Sequence, residues 1–160
     1  MDVNKYDGRA SKQRLPRLLG NNESDFNPDE ISWITGCIGI TDWEGAERAK
    51  GHGHYVINVA DELVGGMYDD LDIPFVGGRD QLQAQMDTFA DAVNSRLENA
   101  PEQKIVVHCA MGMERAPLAV LGYLMKYKNM NIDTGYELLK SKRPIVFDRR
   151  HWINNGMWSY

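Results

Sequence analysis

The chain has 160 residues, 42% of them hydrophobic, with a formal charge of −5 and a pI near 5.3. That length fits one domain with a real core, the acidic balance argues against a general nucleic-acid binder, and no apolar run reaches the length of a membrane span. Two cysteines, Cys37 and Cys109, exclude a disulfide framework and point to a reducing compartment. The opening "MDVNKYDGRA" lacks the apolar region of a signal peptide, and the closing "GMWSY" lacks a prenylation box. The expectation is a soluble, cytoplasmic, monomeric protein.

Residues 1–28 read as a polar, turn-rich arm, and residues 29–160 as the folded domain. The arm carries Lys5, Arg9, Lys12, Arg14 and Arg17, and reads as a solvated tail rather than a recognition segment. "ISWITGCIGI" reads as a strand leading into a turn. "DWEGAERAKG" follows as a short helix with Asp42 as its cap and Gly51 as its stop. "HYVINVAD" is a buried strand, and "LDIPF" a short one that Pro74 assigns to an edge or end. "GGRD" is a loop. Leu82, Met86, Phe89, Ala90, Val93 and Leu97 recur at helical spacing over residues 81–100. "KIVVHC" is a further buried strand, and "APLAVLGYLMKYK" an almost wholly apolar, hence central, helix. "DTGYELLKSKRP" is a helix ended by Pro144, and "DRRHWINNGMW" a last short helix. This alternation predicts an α/β fold: a central, mostly parallel sheet of four to five strands flanked by helices. Ligands in such folds bind beyond the carboxyl ends of strands, where Cys109 lies.

The stretch "VVHCAMGMERAP" concentrates the chemistry. Between the strand end at His108–Cys109 and a helix starting near Arg115 the backbone must turn tightly, and Gly112 supplies the freedom. Successive amide N–H groups in such a turn form an anion-binding nest, and the following helix adds its positive end. Pro117 suits the helix's first turn. A cysteine at the bottom of the nest is favoured as thiolate. The same N–H groups can then hold three phosphoryl oxygens, with Arg115 forking onto two of them. That arrangement serves in-line phosphoryl transfer to sulfur. The spacing His-Cys-(five residues)-Arg would arise by chance in roughly three chains in a thousand of this composition.

"VVHCAMGMERAP" resembles the signature loop of the cysteine-dependent protein tyrosine phosphatases, dual-specificity subclass. "ISWITGCIGI", "YVINVADE" and "LLKSKRPIVF" resemble flanking elements of that family in the family's order, over roughly residues 30–157. The resemblance implies Cys109 as nucleophile and Arg115 as phosphate clamp. It makes His108, Ala110, Met111, Gly112, Met113 and Glu114 the substrate-binding loop, Ala110 to Arg115 acting through their backbone and His108 in a supporting role. It also implies a general acid about thirty residues ahead of the cysteine. Asp80 stands 29 positions before Cys109, Asp72 stands 37 before and Asp70 stands 39 before. Asp80 is the first choice, with Gly77 and Gly78 as its hinge, and Asp72 the second; Asp80 as a mere helix cap is the competing reading.

Two residues depart from the family's loop. Ala116 replaces the Ser or Thr whose hydroxyl helps the thiolate leave, which predicts slow breakdown of phosphocysteine. Glu114 puts an acid beside the pocket and must point outward, which argues against highly anionic substrates. The implied activity is hydrolysis of phosphotyrosine, and of phosphoserine or phosphothreonine if the pocket is shallow, in proteins. The alternatives are a glucan, RNA 5′-phosphate or lipid phosphate as substrate, or a phospho-binding module with little turnover. No metal or cofactor is called for: His52 and His54 lack a matching ligand cluster. Some relatives form a reversible disulfide, which would pair Cys37 with Cys109, although the place of Cys37 near the first strand favours burial.

Overall fold

The computed structural model describes residues 26–76 and 79–153, without the side chains of Arg79 and Asp80. Five strands form one sheet: β1 (Ser32–Trp33), β2 (Ile38–Thr41), β3 (Tyr55–Asn58), β4 (Leu71–Asp72) and β5 (Ile105–His108). Their spatial order is β1-β2-β5-β3-β4, all parallel except β1, which runs antiparallel to β2. Among the described residues four helices pack on this sheet: α1 (Gly45–Gly51), α2 (Arg79–Asn99), α3 (Arg115–Lys128) and α4 (Ile132–Lys142).

β5 takes the centre because all four of its residues are buried and three are β-branched. Its side chains alternate between faces. Val106 joins Ala46, Ala49 and Val56 under α1, whereas Ile105 and Val107 enter the main core under α2 and α3. Helix α3 is buried without interruption from Ala116 to Met125, as its apolar composition requires. Each of its leucines contributes about 1.5–3 kcal/mol by leaving water. It stops where Asn129 turns left-handed (φ 56°), with Lys126 and Lys128 beside the negative end. Helix α4 starts at Asn131, whose side chain accepts the Thr134 N–H at 2.8 Å.

Three local expectations change. "ISWITGCIGI" is not one strand but a β1–β2 hairpin: Thr35 Oγ1 accepts the N–H groups of Cys37 and Ile38 and turns the chain. Asp42 lies two positions too early to be the α1 cap residue, which is Glu44, although its Oδ1 still accepts the Gly45 N–H at 3.0 Å. The last element is a single 3₁₀ turn, Arg150–Trp152, among the described residues. The Cys37–Cys109 disulfide is also ruled out. The Ile105 N–H donates to the Cys37 carbonyl at the amino end of β5, whereas Cys109 follows its carboxyl end. Four residues of strand separate the two by about 13 Å, well beyond the roughly 7 Å between Cα atoms that a disulfide spans. No helix among the described residues is long and apolar enough to cross a membrane.

Candidate active site

Thr41 and Asn58 both pair in register with His108, so β2, β5 and β3 end level. The loops that follow them therefore converge at one edge of the sheet, and the site is built from all three.

The loop after β5 is shaped from outside, through its carbonyls. The Ala110 carbonyl accepts the Trp43 N–H at 3.1 Å, and the Met113 carbonyl accepts the Phe147 N–H at 2.9 Å. Arg143 donates to the Gly112 carbonyl from Nε at 2.8 Å and to the Met111 carbonyl from Nη2 at 2.9 Å. The Glu114 carbonyl accepts from Leu118 N–H in α3. With the carbonyls turned outward, the N–H groups turn inward, and among the described residues none of those from Ala110 to Arg115 meets an acceptor. Gly112 makes the reversal possible at φ 69°. A Cβ there would come within 2.7 Å of both Arg143 Nη2 and the Thr41 carbonyl.

Cys109 sits beneath this ring, 3% exposed, and the Ala116 N–H at the start of α3 points at its Sγ from 3.4 Å. Arg115 approaches from the side, held from behind by the 3₁₀ turn after β3 (Asp61–Leu63). Nη1 and Nη2 fork onto the Glu62 carboxylate, and Nη1 also reaches Asp61 at 3.2 Å. This grip leaves the Nε edge of the guanidinium for an anion. Burial disfavours the Glu62 charge, but hydrogen bonds with Arg115 and Asp61 outweigh it and hold the carboxyl at about 2. The ion pair is therefore complete at neutral pH, and its stabilisation is lost only as pH falls through that value. Burial likewise opposes the Arg115 charge, but the Glu62 hydrogen bond and the nearby sulfur raise it above the ordinary range. The turn carrying Glu62 is in turn fixed by Asn58. Its amide bonds both the N–H and the carbonyl of Ala60, and donates to Asp72 Oδ1 at 2.9 Å.

His108 is buried on the sheet side of the loop. Its Nε2 lies 2.6 Å from Asp69 Oδ1 and its Nδ1 3.1 Å from the Cys109 carbonyl. Glu114 points away from the ring, as expected, and bonds Arg149 at 2.8 Å. That guanidinium lies over the Phe147 and Trp152 rings. Met113 packs against Ile145 and Phe147, so residues 111–114 offer the site their backbone rather than their side chains.

The structure thus brings Cys109, Arg115, His108 and the loop from Ala110 to Glu114 together. The Asp80 carboxylate lies outside the described residues, its backbone being in the first turn of α2. The other two aspartates weighed as acids have structural partners. Asp72 accepts from Asn58 and from the Gly65 N–H, and Asp70 accepts from Lys50 and the Val56 N–H. Sequence reasoning gave no role to Glu62 or Arg143. The available signals were an acidic pair, "DE", just past a strand end at the sheet's binding edge, and an arginine inside the apolar run "RPIVF". Among the described residues no three His, Cys, Asp or Glu are grouped to hold a metal, and His52 and His54 stack on each other.

Residues 46–155 match the family model "Dual specificity phosphatase, catalytic domain". The chain belongs to this family. Among dual-specificity phosphatases it is 34% identical over 105 residues to dual specificity protein phosphatase 18 of Mus musculus, covering 64% of this chain and 53% of that protein. It is 28% identical over 107 residues to the human dual specificity protein phosphatase 21, covering 64% and 53%. The chain thus spans about half the length of the curated relatives it matches. The crystal structure of human DUSP28 superposes with a TM-score of 0.64 at 18% identity, over 84% of this chain and 90% of that one. The human tyrosine phosphatase-like serine/threonine/tyrosine-interacting protein gives 0.65 at 13%, over 78% and 91%. Both likenesses are of fold.

Proposed function

We propose that this chain hydrolyses phosphotyrosine in proteins, and phosphoserine or phosphothreonine where they reach the nucleophile, through a phosphocysteine intermediate. The observation that carries this reading is the ring of inward N–H groups, with Arg115 at its side and the sulfur of Cys109 beneath. Those donors match the three non-bridging oxygens of a phosphate monoester and leave its phosphorus facing Sγ. Sγ attacks phosphorus as the ester P–O bond breaks, and the departing oxygen takes a proton. Water then attacks phosphocysteine, and the S–P electron pair returns to sulfur. Asp80 is our choice of acid for the first step and base for the second, because Asp70 and Asp72 are bonded elsewhere. The mechanism requires no metal or cofactor. Residues 29–160 form the catalytic domain of this reading, acting as a monomer on phosphorylated proteins in the cytoplasm, where both free thiols stay reduced.

The test of substrate class is a panel of phosphotyrosine, phosphoserine and phosphothreonine peptides set against phosphorylated glucan, a phosphoinositide and an RNA 5′-phosphate. Phosphotyrosine peptides should exceed the non-protein substrates in kcat/KM by about 100-fold. The reverse ranking overturns the protein-substrate reading. A burst followed by slower steady turnover is expected of the native enzyme, because Ala116 offers the leaving sulfur an N–H and no hydroxyl. Ala116→Ser should raise the steady rate about tenfold while leaving the burst rate unchanged, as rapid-quench measurement would show.

A further inference from the structure

His108 and Asp69 meet behind the phosphate loop, their side chains 3% and 4% exposed. Nε2 of His108 lies 2.6 Å from Asp69 Oδ1, and Nδ1 lies 3.1 Å from the Cys109 carbonyl. Both ring nitrogens thus face oxygen acceptors. A neutral imidazole carries a single N–H, so one of its nitrogens would press a lone pair against an oxygen. A doubly protonated ring satisfies both contacts, and its charge strengthens the bond at each end. The carboxylate is held in place for that ring. The next residue, Asp70, is tied to β3: its N–H donates to the Val56 carbonyl at 2.8 Å, and its Oδ2 accepts the Val56 N–H at 2.9 Å. The Asp69 N–H donates to the Gly66 carbonyl at 3.2 Å and closes the turn before it. A Cβ on Gly66 would lie 2.6 Å from Asp69 Oδ2, so glycine leaves the carboxylate its space.

The Cys109 carbonyl matters because of the N–H on the other side of the same peptide. In a planar trans peptide the two point in opposite directions. Fixing the Cys109 carbonyl against His108 therefore aims the Ala110 N–H into the ring, where it meets no acceptor among the described residues. We infer that Asp69 is a positioning residue for the reaction: it holds His108 as the imidazolium, whose Nδ1–H fixes the Cys109–Ala110 peptide with its N–H facing the phosphate. The pair thus gives the first peptide of the loop the outward restraint that Trp43, Arg143 and Phe147 give to the carbonyls of Ala110 to Met113. The assignment deepens the phosphatase reading and rests on it.

The test has two arms, both on the full chain. Nitrogen-15 NMR of the native protein near neutrality should show both ring nitrogens of His108 protonated, and Asp69→Asn should leave one proton on the ring. A native ring with a single proton, or a second proton that survives Asp69→Asn, overturns the assignment. The native spectrum decides without any variant. The other arm is a double-mutant cycle on the binding of inorganic phosphate, with Asp69→Ala and His108→Ala measured singly and together. Asp69→Ala should weaken phosphate about tenfold in the native background. In the His108→Ala background the same change should cost less than about twofold, because Asp69 acts through the ring. An equal loss in both backgrounds overturns the assignment and leaves Asp69 to pin the segment 63–69 alone. Native phosphate affinity in Asp69→Ala overturns it as well. The phosphatase reading has its own measurement: no turnover of para-nitrophenyl phosphate by the native chain overturns that reading, whereas the His108 spectrum and phosphate binding judge Asp69.

Discussion

Cys109→Ser should lower turnover of para-nitrophenyl phosphate by about 10⁴-fold or more and leave the binding of inorganic phosphate within about threefold. The two readouts separate because they depend on different atoms. Attack needs an easily ionised, polarisable nucleophile, and a serine hydroxyl near neutrality is neither. Binding needs the N–H ring and the Arg115 guanidinium, and those are fixed from outside by Trp43, Arg143, Phe147 and Glu62 rather than by the sulfur. Arg115→Lys provides the contrast. A compact ammonium can keep a charge near Glu62 but cannot fork onto two phosphoryl oxygens. That variant should lose phosphate affinity and rate together, the rate by about 10³-fold. Hydrolysis that persists in Cys109→Ser would assign the attack to water or to another group. Phosphate affinity that collapses with the sulfur would mean that the thiol, not the backbone, organises the ring.

Arg143→Met should cost about 3–4 kcal/mol of stability and disable the phosphate loop although residue 143 never reaches the substrate. Arg143 is fully buried. Besides the Met111 and Gly112 carbonyls it donates to the Pro28 carbonyl at 2.8 Å, Ser32 Oγ at 3.0 Å, and the Ile40 and Glu30 carbonyls at 3.3 Å. One side chain thus ties the catalytic loop to β1, β2 and the segment before them. Burial works against its charge strongly enough to pull it down to about 10, despite nearby Asp42, Cys109 and Asp29. Methionine keeps the stem and removes every donor, leaving several buried acceptors unpaired. Thermal unfolding should shift down by roughly 10 °C for a chain of this size. Below that transition, kcat/KM should still fall at least about 100-fold, because the Met111 and Gly112 peptides are free to rotate their N–H groups away. A stability loss with full phosphate affinity would restrict Arg143 to a packing role.

The loop was legible in the sequence because its chemistry is contiguous. Cysteine, glycine, arginine and a helix-compatible proline fall within nine residues, and a nest followed by a helix is a local structure. The order of strands and helices was legible for a similar reason, since apolar periodicity reports burial residue by residue. "ISWITGCIGI" misled because two short strands of a hairpin, in a mostly apolar stretch, read much like one strand. Only the Thr35 side chain, bonding the N–H groups of Cys37 and Ile38, marks the turn.

Long-range partners left no such trace. Glu62 lies 53 positions before the arginine it grips, and Arg143 lies 31 positions after the glycine whose carbonyl it holds. The sequence alone determined that a thiol, a flexible turn and a guanidinium share one loop at the end of a buried strand, because bond lengths and dihedral freedom act over a few residues. Only the tertiary structure decided which way that loop's carbonyls face and what steadies its arginine. Those outcomes depend on three strands ending level in the sheet, so that loops far apart in the chain meet at one edge.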